Sequence, residues 1–391
     1  MPPERLTPVE MIAHLVAFDT TSAKSNLGLI ERVAEYLAGH GIASRLTKND
    51  DGTKANLFAT IGPGRGNGIV LSGHTDVVPA AGQAWESDPF VLSERDGRLY
   101  GRGTADMKSF IATALALVPE MLERRLEIPI HLALSYDEEV GCLGVGRMIR
   151  ELGATLGRPR LAIVGEPTLM KVVRAHKGAV ICETRVVGRE AHSSATHRGA
   201  SAIMAAAELI RFLSELAAEF AARAPRAGSS DGEFEPPCTT ISVGTIAGGT
   251  ALNIIPKDCS FLWECRPLPG SGDGEEVLRR FNEFAAARVT PALKAKAAAG
   301  SVATEVLVTV PPLAPEGAAA EALVLALSGE NRAGVVSYGS EAGLFQEAGI
   351  PAVLCGPGDI TQAHQPNEFI LGTQVEACAA FLRRLIDHCA T

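Results

Sequence analysis

The chain has 391 residues, 46% hydrophobic and 21% charged, with a formal net charge of −9. That balance excludes a nucleic-acid footprint, which needs clustered Lys and Arg, and no run approaches the ~18 apolar residues of a membrane span. The length exceeds one ordinary core and favours two domains. Residues 1–8 carry three prolines and no basic segment leading into an apolar stretch, so no secretory signal is expected. The eight cysteines form no Cys-x-x-Cys pair and several lie in strand-like runs, which fits reduced buried thiols and a cytoplasmic setting.

In chain order, apolar spacing predicts helices over 8–18 and 27–40, the second closed by Gly41. Residues 56–61 and 69–71 flank the Gly-rich turn 62–68 and predict a hairpin. A helix over 109–122 follows, then a strand over 128–135, where Ile128, Ile130, Leu132 and Leu134 alternate. A helix near 144–152 and a strand over 161–164 complete the series. Such alternation predicts an α/β fold with a mixed sheet covered by helices on both faces.

From about Gly178 the texture changes to strand 179–187, an Ala-rich helix over 199–222, and a polar Pro/Gly/Ser loop over 223–237. Strands 239–246 and 259–265, a helix over 275–298 and a strand over 304–310 come next. This small α+β layer reads as an insertion, because the strand over 351–354 and His364 must return to the first domain's crevice. The expected division is 1–177 with 311–391, and 178–310 inserted.

Four apolar runs end in polar residues: at His74-Thr75-Asp76, at Asp137-Glu138-Glu139, at Gly165-Glu166, and at Gly356-Pro357-Gly358, with His364 six residues further on. In open α/β sheets the crevice beyond the carboxyl ends of the strands is the ligand site. Asp106, just before the 109–122 helix, joins them. Two histidines and at least four carboxylates without a thiolate suit a divalent ion, Zn²⁺ first, with Co²⁺ or Mn²⁺ as alternatives. The five candidates His74, Asp106, Glu139, Glu166 and His364 exceed the needs of one ion. They divide better between two ions ~3.5–4 Å apart that share a carboxylate. One Glu of the 138–139 pair can bind metal while the other takes a proton from water. Asp76 would hold the His74 ring.

Taken singly, each of these residues has a plainer reading. The acids would cap helices or form surface ion pairs, Arg266 would pair with Glu264 or Glu235, and His192 would be a surface residue. His14, His40, His131, His176, His197 and His388 are read that way outright. Gly62-x-Gly64 leads into another strand, so it is no dinucleotide fingerprint. Gly228-Ser229-Ser230-Asp231-Gly232 lies in a polar loop without a strand-to-helix elbow, so it is no serine nucleophile.

Five motifs in order resemble the dinuclear-zinc aminoacylase and carboxypeptidase family. They are Gly73-His74-Thr75-Asp76-Val77-Val78-Pro79, Tyr100-Gly101-Arg102-Gly103 through Asp106-Met107-Lys108, Asp137-Glu138-Glu139, Gly165-Glu166-Pro167-Thr168 and Ala363-His364-Gln365. The resemblance runs nearly end to end from Phe18. It implies a zinc-exopeptidase-like catalytic domain in which Asp106 bridges two Zn²⁺ ions, His74 with Glu166 holds one, Glu139 with His364 holds the other, and Glu138 is the base. It also implies that the inserted domain is a lid through which the protein dimerises. His192 then matches a histidine that stabilises the oxyanion in the partner's active site. Asn253 and Arg266 match lid residues that contact substrate, the Arg fork suiting a carboxylate, and Gly356 and Gly358 would present backbone amides beside it. Hinges are expected near 178 and 311.

Three positions depart from the family pattern: Ser109 replaces Gly, Thr196-His197 stands where Pro is common, and Ser340 replaces Thr. The expected activity is removal of an acyl group, acetyl first, from the α-amine of an amino acid such as N-acetylornithine. Alternatives are N-succinyl-diaminopimelate, N-acetylcitrulline and peptides as substrates, or a catalytically silent metal-binding protein. No nucleic-acid or membrane partner is expected.

Overall fold

The computed structural model describes residues 4–64, 67–155 and 158–390. Two compact units divide the chain: Met1–Arg174 with Pro315–Gly334 and Ser340–Thr391, and Ala175–Ala314 with Val335–Gly339. No helix among the described residues is long and apolar enough to cross a membrane.

The first unit is built on an eight-stranded sheet, the α/β arrangement expected. Its middle is Ile130–Ser135, Ile69–His74, Leu161–Pro167 and Ala352–Gly356, side by side and parallel. Every residue of these four strands is buried, the profile of strands covered on both faces. Ala55–Ile61 and Ser44–Lys48 extend the sheet as antiparallel neighbours beyond Ile130–Ser135. The 56–61 and 69–71 segments therefore run in opposite directions but form no hairpin, because Ile130–Ser135 lies between them. Gly68 permits this. A Cβ there would meet the Pro129 carbonyl oxygen at 2.3 Å and the His131 ring at 2.5 Å, so only glycine lets the turn press against the intervening strand.

Behind the sheet lies Lys108–Ala116, a helix buried along its whole length. The single helix predicted over 109–122 breaks at Leu117, and Val118–Glu123 restarts with Pro119 in its first turn, where the missing N–H costs nothing. Two strand-end glycines let the buried helix approach: a Cβ on Gly73 would lie 2.7 Å from Met107 Cε, and one on Gly165 would lie 2.0 Å from Phe110 Cγ. Leu15, Leu71, Phe110, Leu132, Ile163, Val353, Phe381 and Leu385 belong to one apolar cluster, which ties Pro8–Val16 and the C-terminal helix Gly372–Cys389 to the sheet.

In the second unit, an antiparallel sheet runs Thr240–Gly248, Asp258–Arg266, Ala179–Val187, Ser301–Val310. Along Asp258–Arg266, Cys259, Phe261, Trp263 and Cys265 are buried and alternate with more open positions, as in a sheet covered on one face. Ala202–Ala222 supplies Leu209, Leu213, Leu216 and Phe220 to that covered face, and Asp273–Phe284 supplies Val277 and Phe281. The helix expected over 275–298 is interrupted by the π-helical turn Ala285–Val289 before Thr290–Lys296.

Two buried histidines carry a pH prediction. Burial pushes the pKa of His131 and of His176 down to about 4. His131 bonds the Thr60 hydroxyl through Nδ1 at 2.9 Å and stacks on Phe58, while its Nε2 has no hydrogen-bond partner. The unfolded chain protonates these rings near pH 6.5 and the folded chain only near 4. Protons therefore favour the unfolded state as pH falls through that window, each ring costing on the order of 2 kcal/mol by pH 4.5. Denaturant unfolding of the parent and of His131→Asn between pH 7 and 4.5 should show a shallower decline in the variant. Parallel declines would remove His131 from the account.

Candidate metal centre

The carboxyl ends of the parallel strands deliver the site. His74 is the last residue of its strand, Glu166 lies near the end of Leu161–Pro167, Glu138 and Glu139 follow Ile130–Ser135, and Asp106 stands in the turn before the buried helix. His74 Nε2 lies 2.9 Å from Asp106 Oδ1, and His364 Nε2 lies 3.4 Å from Asp106 Oδ2 and 3.0 Å from Glu139 Oε2. Each Asp106 oxygen thus faces a different imidazole. Donor atoms of His74, Asp106 and Glu139 lie within 4.8 Å of one another, as do those of His74, Glu138 and Glu166.

Three acids of this cluster resist ionisation. Burial pushes Glu138 up to about 8, against the pull of His74, and raises Glu139 and, more strongly, Glu166. Burial would also raise Asp106, but its bonds to His364 and His74 hold it below the usual carboxylate range. His364 rises to about 10 through its bonds to Asp106 and Glu139. In His74, burial opposes protonation and the bond to Asp106 overrides it. Excess carboxylate packed in low dielectric draws protons where a cation would serve better. Glu166 Oε1 is buried without any hydrogen-bond partner. Carboxylate and imidazole donors, one of them an orphan, fit a divalent metal ion.

Asp76 is placed differently from its expected role. The His74 ring meets the Asp76 backbone carbonyl at 2.9 Å, and the nearer carboxylate oxygen is 3.7 Å away. Its carboxylate instead accepts the Glu138 and Glu139 amide N–H groups, at 3.1 and 3.3 Å, and the Ser22 hydroxyl at 2.7 Å. Asp137 turns away from both glutamates to pair with Lys54.

The amides of Gly356 and Gly358 are already committed, contrary to expectation. Gly356 N–H donates to the Thr168 hydroxyl at 3.2 Å and Gly358 N–H to Gln374 Oε1 at 3.3 Å, so neither is available as a substrate donor.

In the second unit, His192 is exposed, and the Ser194 backbone N–H donates to its Nδ1 at 3.2 Å. An amide can only donate, so the neutral ring carries its proton on Nε2. Asn253 is an exposed neighbour, its carbonyl accepting the Ser193 N–H at 2.9 Å. Arg266 pairs with Glu264 through Nε at 3.0 Å and Nη2 at 2.8 Å.

Several supporting residues escaped sequence reasoning. The buried Glu341 carboxylate accepts the hydroxyls of Ser72 and Ser135, joining the strands that lead to His74 and to Glu138. The Cys142 thiol donates to Glu138 Oε1 at 3.3 Å. Ser340, which stands where the family pattern has Thr, is fully buried.

Known proteins resemble the chain over nearly its whole length. The chain is 38% identical over 385 residues to the acetylornithine deacetylase of Myxococcus xanthus, covering 96% of each protein. It is 34% identical over 392 residues to that of Pasteurella multocida, covering 98% of each. Among solved structures, an M20 family metallo-carboxypeptidase from Sulfolobus solfataricus shares the fold, with TM-score 0.76 at 16% identity over 98% of this chain and 99% of that one. A tripeptidase from Staphylococcus aureus does so with TM-score 0.72 at 18% identity over the whole of both chains. The model of Peptidase family M20/M25/M40 matches residues 70–388, a span that takes in every residue of the acid and histidine cluster, and the chain belongs to that family.

Proposed function

We propose that this protein is a metal-dependent amidohydrolase that removes the acetyl group from N2-acetylornithine, yielding ornithine and acetate for arginine biosynthesis. The observation that carries the chemistry is Asp106, whose two oxygens face His74 and His364 separately, as a carboxylate shared by two ions requires. The substrate reading rests on the near full-length relatives that bear the deacetylase name. His74 with Glu166 would hold one ion and Glu139 with His364 the other. Zn²⁺ is the first candidate and Co²⁺ a workable substitute.

Bound there, the ions would supply acidified water and a polarised amide carbonyl. Glu138 would take the proton from the attacking water and return it to the departing amine, a task suited to a carboxyl that lies among the metal donors. Asp76 fixes the Glu138 backbone while this happens. Arg266 would receive the substrate carboxylate in exchange for Glu264, and Asn253, which lies next to His192, would contact substrate alongside that histidine. The protein would work as a cytoplasmic homodimer joined through the second unit, with His192 of the partner subunit offering its Nε2 proton to the oxyanion.

The test is a substrate panel on chain reconstituted with Zn²⁺ or Co²⁺: N-acetylornithine, N-acetylcitrulline, N-succinyl-diaminopimelate and a dipeptide. N-acetylornithine should lead in kcat/KM by about tenfold or more. A dipeptide or the succinyl compound in first place overturns the substrate, and a wholly inactive reconstituted chain overturns the enzyme. Sedimentation at micromolar concentration should give a dimer; a monomer removes the role of His192.

A further inference from the structure

Arg102 and Glu368 are each 1% exposed and form an ion pair of 2.6 Å. A buried pair needs further hydrogen bonds to its partners, and here, Arg102 Nε apart, those bonds run to two particular stretches of chain. Glu368 Oε2 also accepts the Gly103 N–H at 3.0 Å, while Oε1 accepts the N–H groups of Ala105 at 2.8 Å and Asp106 at 3.1 Å. The carboxylate is wrapped by the turn that delivers Asp106. Arg102 reaches the other way. Its Nη1 donates to the Gln365 carbonyl at 3.4 Å and its Nη2 to the Gln83 side-chain oxygen, and Gln83 Nε2 donates to the His364 carbonyl at 2.9 Å.

His364 needs such a hold. Its backbone is left-handed, with φ 64°, and its side chain is half exposed, so neither a favoured conformation nor burial fixes it.

We propose that Glu368, Arg102 and Gln83 form a positioning clamp that sets Asp106 against His364, and so determines the affinity of the metal position held by Asp106, Glu139 and His364. The proposal rests on reading those three as ligands. No member of the clamp is itself a ligand. Its effect is greatest at that position, because His364 belongs to it alone, whereas the other ion shares Asp106 but also has His74 and Glu166, on strands the clamp does not touch.

Equilibrium dialysis with Zn²⁺, with bound metal counted by elemental analysis, tests this on the full chain. Arg102→Lys keeps the charge but loses the fork, and Gln83→Ala removes a half-buried link whose loss leaves the core intact. Each should weaken the ion held by Glu139 and His364 10–100-fold and the other ion less, with the larger change in the Co²⁺ absorption band at the weakened position. Gln83→Ala keeps the test available should Arg102→Lys fail to fold. Variants that take up both ions with parental affinity overturn the clamp and leave the ligand assignment standing. A parent that binds fewer than two ions, or an Asp106→Asn variant that keeps both, overturns the ligand assignment and the clamp with it.

Discussion

Glu138→Gln lowers kcat by about 10²–10⁴ while the chain keeps its full complement of metal. The substitution preserves shape and removes only the capacity to carry a proton. The backbone of Glu138 stays anchored, since its N–H donates to Asp76 and not to its own side chain. The Cys142 thiol can still donate to the amide oxygen that replaces Oε1. Steady-state kinetics with elemental analysis of the same sample decide the outcome. Activity within tenfold of the parent would place the base elsewhere. Loss of an ion together with activity would make Glu138 a ligand, which its closeness to His74 and Glu166 allows.

Stripping the metal abolishes turnover and lowers the thermal midpoint, and Zn²⁺ or Co²⁺ restores both. An ion that binds only the folded chain stabilises it by about 2.7 kcal/mol at a free concentration of 100 times its Kd. The same cluster fixes the pH dependence. In the metal-free chain Glu139 and Glu166 hold protons above the usual carboxylate range, and His364 holds one up to about 10. Each proton must leave before the donor can bind an ion, so uptake releases protons and affinity weakens as pH falls. Calorimetric titration at pH 6 and 8, in buffers of different ionisation enthalpy, reads that release directly. Uptake without proton release would mean that other groups hold the metal.

The parts of the site that could be read in the sequence are those announced by a strand ending. A buried parallel strand is a short apolar run, so the residues just past it stand out, as His74, Glu138, Glu139 and Glu166 do. Asp106 could be placed because it stands just before a helical run. What could not be read are contacts made to main chain or across long separations. Nothing near Glu341 indicates that its carboxylate meets serines 206 and 269 residues away. Glu368 binds backbone amides, which leave no mark on composition. The Gly356 and Gly358 amides looked free because their acceptors, Thr168 and Gln374, belong to other elements. Strand adjacency was equally hidden: 56–61 and 69–71 flank a Gly-rich turn that suggests a hairpin, and only the later Ile130–Ser135 separates them.

That order of arrival has a consequence for synthesis. Four of the proposed ligands, His74, Asp106, Glu139 and Glu166, lie at or before residue 166, whereas the strand Ala352–Gly356 and His364 come about 200 residues later, after the second unit. At roughly 5–20 residues per second, a ribosome takes on the order of 10–40 s to supply them. Through that interval Leu161–Pro167 lacks the parallel neighbour that covers its edge, an exposed strand of the kind that pairs with the wrong chain. Vectorial synthesis thus separates an early, incomplete set of acids from the arrival of His364, and under the proposed ligand assignment secure metal capture would wait for that histidine.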